Sequence, residues 1–277
     1  MSAVILKKLT VQNLGSVDFF SCDFTEGLNI LKSRSDDELV YVLRIVLNHK
    51  EIPPLPDGWV RVDTQIEAVV CVNEKTYLAV ALPDVEQKSL TLRVNDKKNE
   101  DVTAEYLYLC SHCAEHDQSD IFDGDEHKIP LRFLQYANED MYYAPRELAG
   151  QTEGLSEIKA FRAYLRSFIQ NFKGETIRDG KQYEIVLEKN GKYGVKHKTD
   201  GAAPVALSES EQTLFRYLCF LRTAEFWIGF EQLRNLHGLK KPLIIKDFLC
   251  RLDESIDVTP HLERTNQLKR QIIILSW

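Results

Sequence analysis

Glycine is scarce in the first part of this sequence. The chain has 13 glycines in 277 residues, and none lies between Gly27 and Gly58. The stretch GLNILKSRSDDELVYVLRIVL, residues 27–47, nevertheless has the outline of a strand, a loop and a helix. A loop that wraps a phosphate needs glycines so that successive backbone N–H groups can turn towards the anion, and here they are missing. Cysteine is also sparse. The six, at 22, 71, 110, 113, 219 and 250, are too few in a chain this long for a disulfide scaffold. Four of them sit in apolar runs, where a reduced thiol behaves as a small hydrophobe. There is no positive excess: 35 Lys and Arg against 42 Asp and Glu leave a net charge of −7, so nothing draws the whole chain to nucleic acid. No apolar run approaches the roughly 18 residues that span a bilayer. MSAVILKKLTVQN alternates like a strand and not like a signal peptide, so a soluble cytoplasmic protein with no membrane contact is expected. Neither G-x-S-x-G nor H-E-x-x-H occurs, and no internal repeat is visible.

What remains is an ordinary globular balance, 44% apolar and 28% charged, enough for one large domain or two lobes. AVILKKLTVQN and VDFFSCDF read as strands around the turn LGS, and GLNIL as a third, short and buried. A helix follows over about 36–49. After the break IPPLPDG, the segments RVDTQIEAVVCV, TYLAVAL and SLTLRV alternate as antiparallel strands joined by NEK and DVEQK. Residues 103–150 read as mixed helix and loop, with DQSDIFDGDEH as a solvated acidic loop. Phe161, Leu165, Phe168, Ile169 and Phe172 share one helical face, and YEIVLEK with KYGVKH forms a hairpin over NG. A long helix starts near 207, KPLIIKDFL contains a buried strand, 257–268 is helical, and RQIIIL is a last buried strand. Strands alternating with helices at both ends, around an antiparallel insertion, predict an α/β sheet completed by both ends of the chain.

Four stretches in this order carry a resemblance: GLNIL with the loop after it, LSESEQ at 207–212, PLIIKDFLCRLDES at 242–255, and RQIIILSW at 270–277. Together they are similar to the ABC-type ATPase heads of the SMC and RecF-like families, within the P-loop NTPase superfamily. The likeness covers about 1–50 and 205–277, and the middle takes the place of the inserted arm, too short here for a long coiled coil. It implies an α/β fold of the ABC-ATPase-head type with an antiparallel β subdomain and a short helical insertion. The implied division is an N-terminal lobe over 1–100, the insertion over 101–180 and a C-terminal lobe over 181–277.

Against the pattern G-x-x-x-x-G-K-[ST], Ser33 takes the first glycine position, Glu38 the second, Leu39 the lysine position and Val40 the hydroxyl position. The residues present have their own local logic. Ser35 with Glu38 is a capping box, and Asp36, Asp37 and Glu38 put carboxylates on the first helical turn, where the macrodipole favours negative charge. Against the signature L-S-x-G-E, Ser208 and Glu211 fit, Ser210 replaces the glycine, and Glu209 adds charge. Ser208 with Glu211 is a second capping box. Asp247 stands where the family's magnesium aspartate lies, although a strand-end aspartate capping a turn is an equal reading. Phe248 replaces the glutamate base, Asp253 resembles the D-loop aspartate one residue closer than usual, and Trp277 replaces the switch histidine. The resemblance thus implies a head without catalytic residues, retaining Ser208, Glu211 and Asp253, the elements offered to a partner. Such a subunit would dock on an active ABC-type ATPase in a DNA-repair or phage-defence type of assembly and meet DNA only through that complex. No cofactor is expected, with residual ATP and magnesium binding left open.

A different class of function rests on Cys110, Cys113, His116 and His127, whose ligand types suit zinc. The same segment, AEYLYLCSHC, also reads as an amphipathic helix whose cysteines simply pack, and on that preferred reading no metal is expected. With zinc, the chain would be an autonomous protein-interaction module stapled by the metal.

Overall fold

The computed structural model describes residues 3–49, 52, 54–111, 121–123, 176–178, 181–187, 193–197, 208–211, 213–214, 217, 221, 240–246, 249–254, 257–267 and 270–276. The chain divides into two compact units. One comprises residues 1–123, 237–250 and 258–277, the other 124–236 and 251–257.

In the first unit the elements are β1 (Val4–Leu14), β2 (Val17–Asp23), β3 (Leu28–Lys32), α1 (Asp36–Val46), β4 (Val60–Val72), β5 (Lys75–Asp84), β6 (Ser89–Asn95), α2 (Thr103–Ser111) and β7 (Ile121–Asp123). Three strands of the second unit follow, β8 (Thr176–Arg178), β9 (Lys181–Leu187) and β10 (Tyr193–His197), before β11 (Leu243–Lys246) and β12 (Ile272–Ser276) complete the first. Five strands make an antiparallel sheet of order β2-β1-β4-β5-β6, and four make a sheet of order β3-β12-β11-β7. Every pair in the four-stranded sheet is parallel. Both ends of the chain therefore build one α/β sheet, as the sequence predicts.

The alternation of β1 changes phase twice. Val4 and Leu6 face the core, then Leu9 and Val11, then Leu14. The register against β4 shifts between Leu6 and Lys8 and again between Gln12 and Leu14. Each extra residue flips the side chains that follow it, so a strand with two bulges keeps its apolar residues inward although a strict period of two would not. The core they enter includes Ile66, Ala68, Val70 and Val72 of β4, Tyr77, Ala79 and Ala81 of β5, and Ile244, Ile273 and Leu275 of the parallel sheet. Leu39, Val42, Leu43 and Val46 of α1 belong to the same core. A helix apolar on nearly all sides is one that packs on more than one neighbour. The turn NEK has Asn73 and Glu74 at φ 49° and 69°, the paired left-handed conformation that suits a two-residue hairpin.

Two expectations fail here. GLNIL is a strand but not a buried one: β3 is the edge of its sheet, and Ile30 is 46% exposed. Apolar composition does not reveal whether a strand has one neighbour or two. Within the acidic run, Ile121–Asp123 is not loop but β7, paired in parallel with Ile244–Lys246 of β11. The helix expected at 257–268 is present as Thr259–Asn266. The helix expected around 161–172 lies outside the described residues.

In the second unit β8, β9 and β10 form an antiparallel sheet of order β10-β9-β8, and Tyr193 faces Leu187 across the expected hairpin. Residues 209–211, 213, 214, 217 and 221 are helical. Among the described residues no helix is long and apolar enough to cross a membrane.

Candidate functional site: a closed loop and a capped helix

In an open α/β sheet, ligands bind at the carboxyl ends of the parallel strands. That end is formed here by Lys32 of β3, Ser276 of β12 and Lys246 of β11, with residues 33–35 leading into α1. The loop is folded on itself. Ser33 N–H donates to Ser276 O at 3.1 Å, and Ser35 N–H donates to Ser33 Oγ at 3.0 Å. Two amides that a phosphate loop would offer to an anion are thus engaged inside the protein.

The Ser35–Glu38 capping box does not form. Ser35 makes no side-chain cap bond at the start of α1, and its hydroxyl lies 2.8 Å from Ser16 Oγ instead. The Glu38 carboxylate turns to the β1–β2 turn, where Oε1 accepts from Ser16 N–H at 2.9 Å and from Ser16 Oγ at 2.8 Å. A tertiary donor pair has outcompeted the local one. Close approach of Glu38 is possible because the preceding residue is glycine. Gly15 has φ +55°, and a Cβ on it would stand 2.7 Å from Glu38 Oε1 and 2.8 Å from Glu38 Cγ.

The charge on the loop is met from within. Lys246 Nζ lies 2.7 Å from Asp37 Oδ1, with the lysine side chain 10% exposed and the aspartate 70% exposed. An ammonium from β11 meets a carboxylate on α1, the reverse of a loop lysine meeting a phosphate. Leu39 and Val40, which the resemblance sets at the lysine and hydroxyl positions, are buried in the hydrophobic core. The residues present do not fit a triphosphate: Leu39 and Val40 supply no ligand, Asp36 and Glu38 are buried at the helix start, and Asp37 carries a further carboxylate beside them. Asp247, Phe248 and Trp277 lie outside the described residues.

The signature-like segment is built differently. Ser208 N–H donates to Glu211 Oε2 at 2.8 Å, and Glu211 N–H donates to Ser208 Oγ at 3.2 Å. This is the reciprocal capping box expected from the sequence. Ser208 is exposed and Glu211 buried. A hydroxyl that accepts one hydrogen bond still has its proton to donate.

In the sequence Ser210 stands only as a replacement for glycine. It is buried, and its Oγ accepts from Asp253 N–H at 2.6 Å. The clue lay in helical spacing, since Ser210, Leu214, Tyr217 and Leu221 follow i, i+4, i+7 and i+11 and all four are buried. The side chain therefore belongs to the inward face. Of the residues expected to face a partner, Ser208 and Glu211 are brought together, and Asp253 is tied to the same turn through Ser210.

Of the zinc candidates, Cys110 is fully buried within the hydrophobic core of the first unit. Cys113, His116 and His127 lie outside the described residues. No group of three or more His, Cys, Asp or Glu that could hold a metal ion occurs among the described residues.

No protein-family profile and no curated protein sequence matches this chain. Solved structures do. The SMC head domain of Pyrococcus furiosus, with an extended coiled coil and bound to the C-terminal domain of ScpA, is similar with a TM-score of 0.53 at 13% identity, over 99% of this chain and 89% of that one. An SMC head bound to the C-terminal winged-helix domain of ScpA gives 0.52 at 15% identity, over 98% and 89%. The recombination mediator RecF with ATP aligns over 99% of this chain and 94% of that one at 13% identity, with a TM-score of 0.47. The fold is that of an SMC-like ABC-ATPase head.

Proposed function

We propose that this chain is a catalytically silent ABC-type head that completes the nucleotide site of an active ATPase partner. The observation that carries the reading is an asymmetry. The loop at 33–38 is closed, with two amides and the Glu38 carboxylate engaged internally and Asp37 paired to Lys246. The helix beginning at 209 is instead capped and keeps Ser208 exposed. In a head-to-head pair with a competent ATPase, the γ-phosphate held by the partner would lie against Ser208 and that helix start, where the macrodipole favours an anion. One composite site would then be competent and the other dead. A DNA-repair or phage-defence type of assembly suits such a pair, with DNA contacted through the complex.

The purified chain alone is expected to hydrolyse ATP no faster than a buffer blank, because positioning and charge stabilisation supply nearly all of phosphoryl-transfer catalysis and Leu39 and Val40 supply neither. Turnover that survives stringent purification and disappears with Asp247→Ala would overturn this.

The pairing itself is tested by purifying the chain with an ATPase from its own host and assaying the complex. Ser208→Ala removes a charge-assisted hydrogen bond of roughly 1.5–3 kcal/mol and should slow turnover about ten- to a hundredfold. Asp37→Ala, on the dead side, should leave turnover nearly unchanged. If no ATPase accompanies the chain, or if the two substitutions have equal small effects, the reading fails.

A further inference from the structure

Ser210 lies where the resembled signature has glycine, and glycine has no side chain to accept a hydrogen bond. Here the hydroxyl accepts from Asp253 N–H at 2.6 Å, across 43 residues of sequence. Ser210 is 5% exposed, while Asp253 and Glu254 are exposed beside it. Its neighbours in the first helical turn are committed elsewhere: Ser208 and Glu211 cap one another. Among the described residues the Asp253 amide donates its side-chain hydrogen bond to Ser210, which joins this segment to the first turn of the helix.

We infer that Ser210 is a positioning residue that fixes the Asp253 segment to the start of the signature-like helix, so that Ser208 and Asp253 reach a partner as one preassembled surface. The role offered to the partner rests on the function proposed above, but the positioning does not. A buried hydroxyl accepting a backbone N–H satisfies a donor that a loop would otherwise leave to solvent. It also makes the departure from glycine a link that glycine, with no side-chain acceptor, would not supply.

The test uses the purified chain first. Amide exchange at Asp253, followed by NMR, should speed up roughly five- to tenfold in Ser210→Ala, the loss of one neutral hydrogen bond. Amides of β1 and β4 should keep wild-type rates, since alanine is the better helix former and the fold is not disturbed. Ser210→Thr, which keeps the hydroxyl, should restore protection at Asp253. Unchanged exchange at Asp253 in Ser210→Ala overturns the inference, as does a speed-up that Thr does not reverse while its unfolding midpoint matches wild type. In the complex with an ATPase, Ser210→Ala should lower kcat several-fold with KM for ATP unchanged, and Ser210→Thr should recover it. Altered exchange with unaltered kcat would leave Ser210 merely structural and overturn its role towards the partner. Absence of any ATPase partner would instead sink the proposed function, and the exchange experiment alone would still decide the positioning.

Discussion

Between pH 6.5 and 3 the protein is expected to lose on the order of 4–5 kcal/mol of stability through one buried side chain. His49 follows the end of α1, where Asn48 takes φ 51° and His49 N–H donates to Arg44 O at 2.8 Å. Its side chain is 3% exposed. Burial is the main reason that its pKa is pushed down to about 3, and the charges of Lys241, Arg44 and Arg270 add to it. In the unfolded chain the imidazole takes up its proton near 6.5. The contribution is thus complete above pH 6.5, and it is lost as the pH falls towards 3, because only the unfolded state binds the proton in that window. Urea midpoints measured at several pH values in this range check it. Carboxylates also titrate there, so the comparison is with His49→Leu, whose stability should fall less steeply by about 1 kcal/mol per pH unit. Equal slopes in the two proteins would show that His49 does not titrate between the folded and unfolded states as described.

Gly15→Ala should destabilise the first unit by about 3 kcal/mol. Two separate effects add. A side chain at φ +55° costs roughly 1–2 kcal/mol for a residue other than glycine. The new Cβ would also displace a Glu38 carboxylate that is buried and doubly bonded to Ser16, forfeiting about 1.5–3 kcal/mol of charge-assisted bonding less whatever the side chain recovers by moving. The two are separable. In a Glu38→Ala background the clash is gone and only the backbone cost remains, so Gly15→Ala should cost less there, and the difference measures the coupling between the turn and the loop. If Gly15→Ala costs the same in both backgrounds, Glu38 does not rest against this turn.

The parts of the fold that were legible in the sequence are those set by local pattern. LII at 243–245 and IIIL at 272–275 announce buried strands because runs of three and four consecutive apolar residues leave no solvent side, and Leu243–Ile245 and Ile272–Leu275 are buried throughout. Ser208 with Glu211 is a capping box in both sequence and structure because both partners lie within one turn. Ser35 with Glu38 has the same spacing and does not cap, because Ser16 offers an N–H and a hydroxyl from 22 residues away. No window along the chain contains that competitor. The same limit hid the pairing of Lys246 with Asp37 and of Ser210 with Asp253. The exposure of β3 and the existence of β7 depend on strand order, which composition does not carry. That residues 33–38 contain no glycine and that position 39 is leucine was visible in the residues themselves; where the amides of Ser33 and Ser35 and the Glu38 carboxylate are engaged was not.

The place of β12 has a consequence for how the protein is made. Ile272–Ser276 lies between β3 and β11, matching Ile272 to Leu28 and Ile274 to Ile245. During synthesis β1, β2, β4, β5 and β6 all emerge within the first 95 residues and can pair as hairpins and a meander while the ribosome is still working. β3 emerges among them but has no neighbour until some 240 residues later, when the strand that flanks it leaves the tunnel. Until then its hydrogen-bonding edge is open, and α1 lacks the contact it makes with β11 in the finished protein. Closing so long a loop is slow, so the nascent chain should wait in a state with one finished sheet and one unfinished one. That interval is when a chaperone, or a strand from another molecule, would find it.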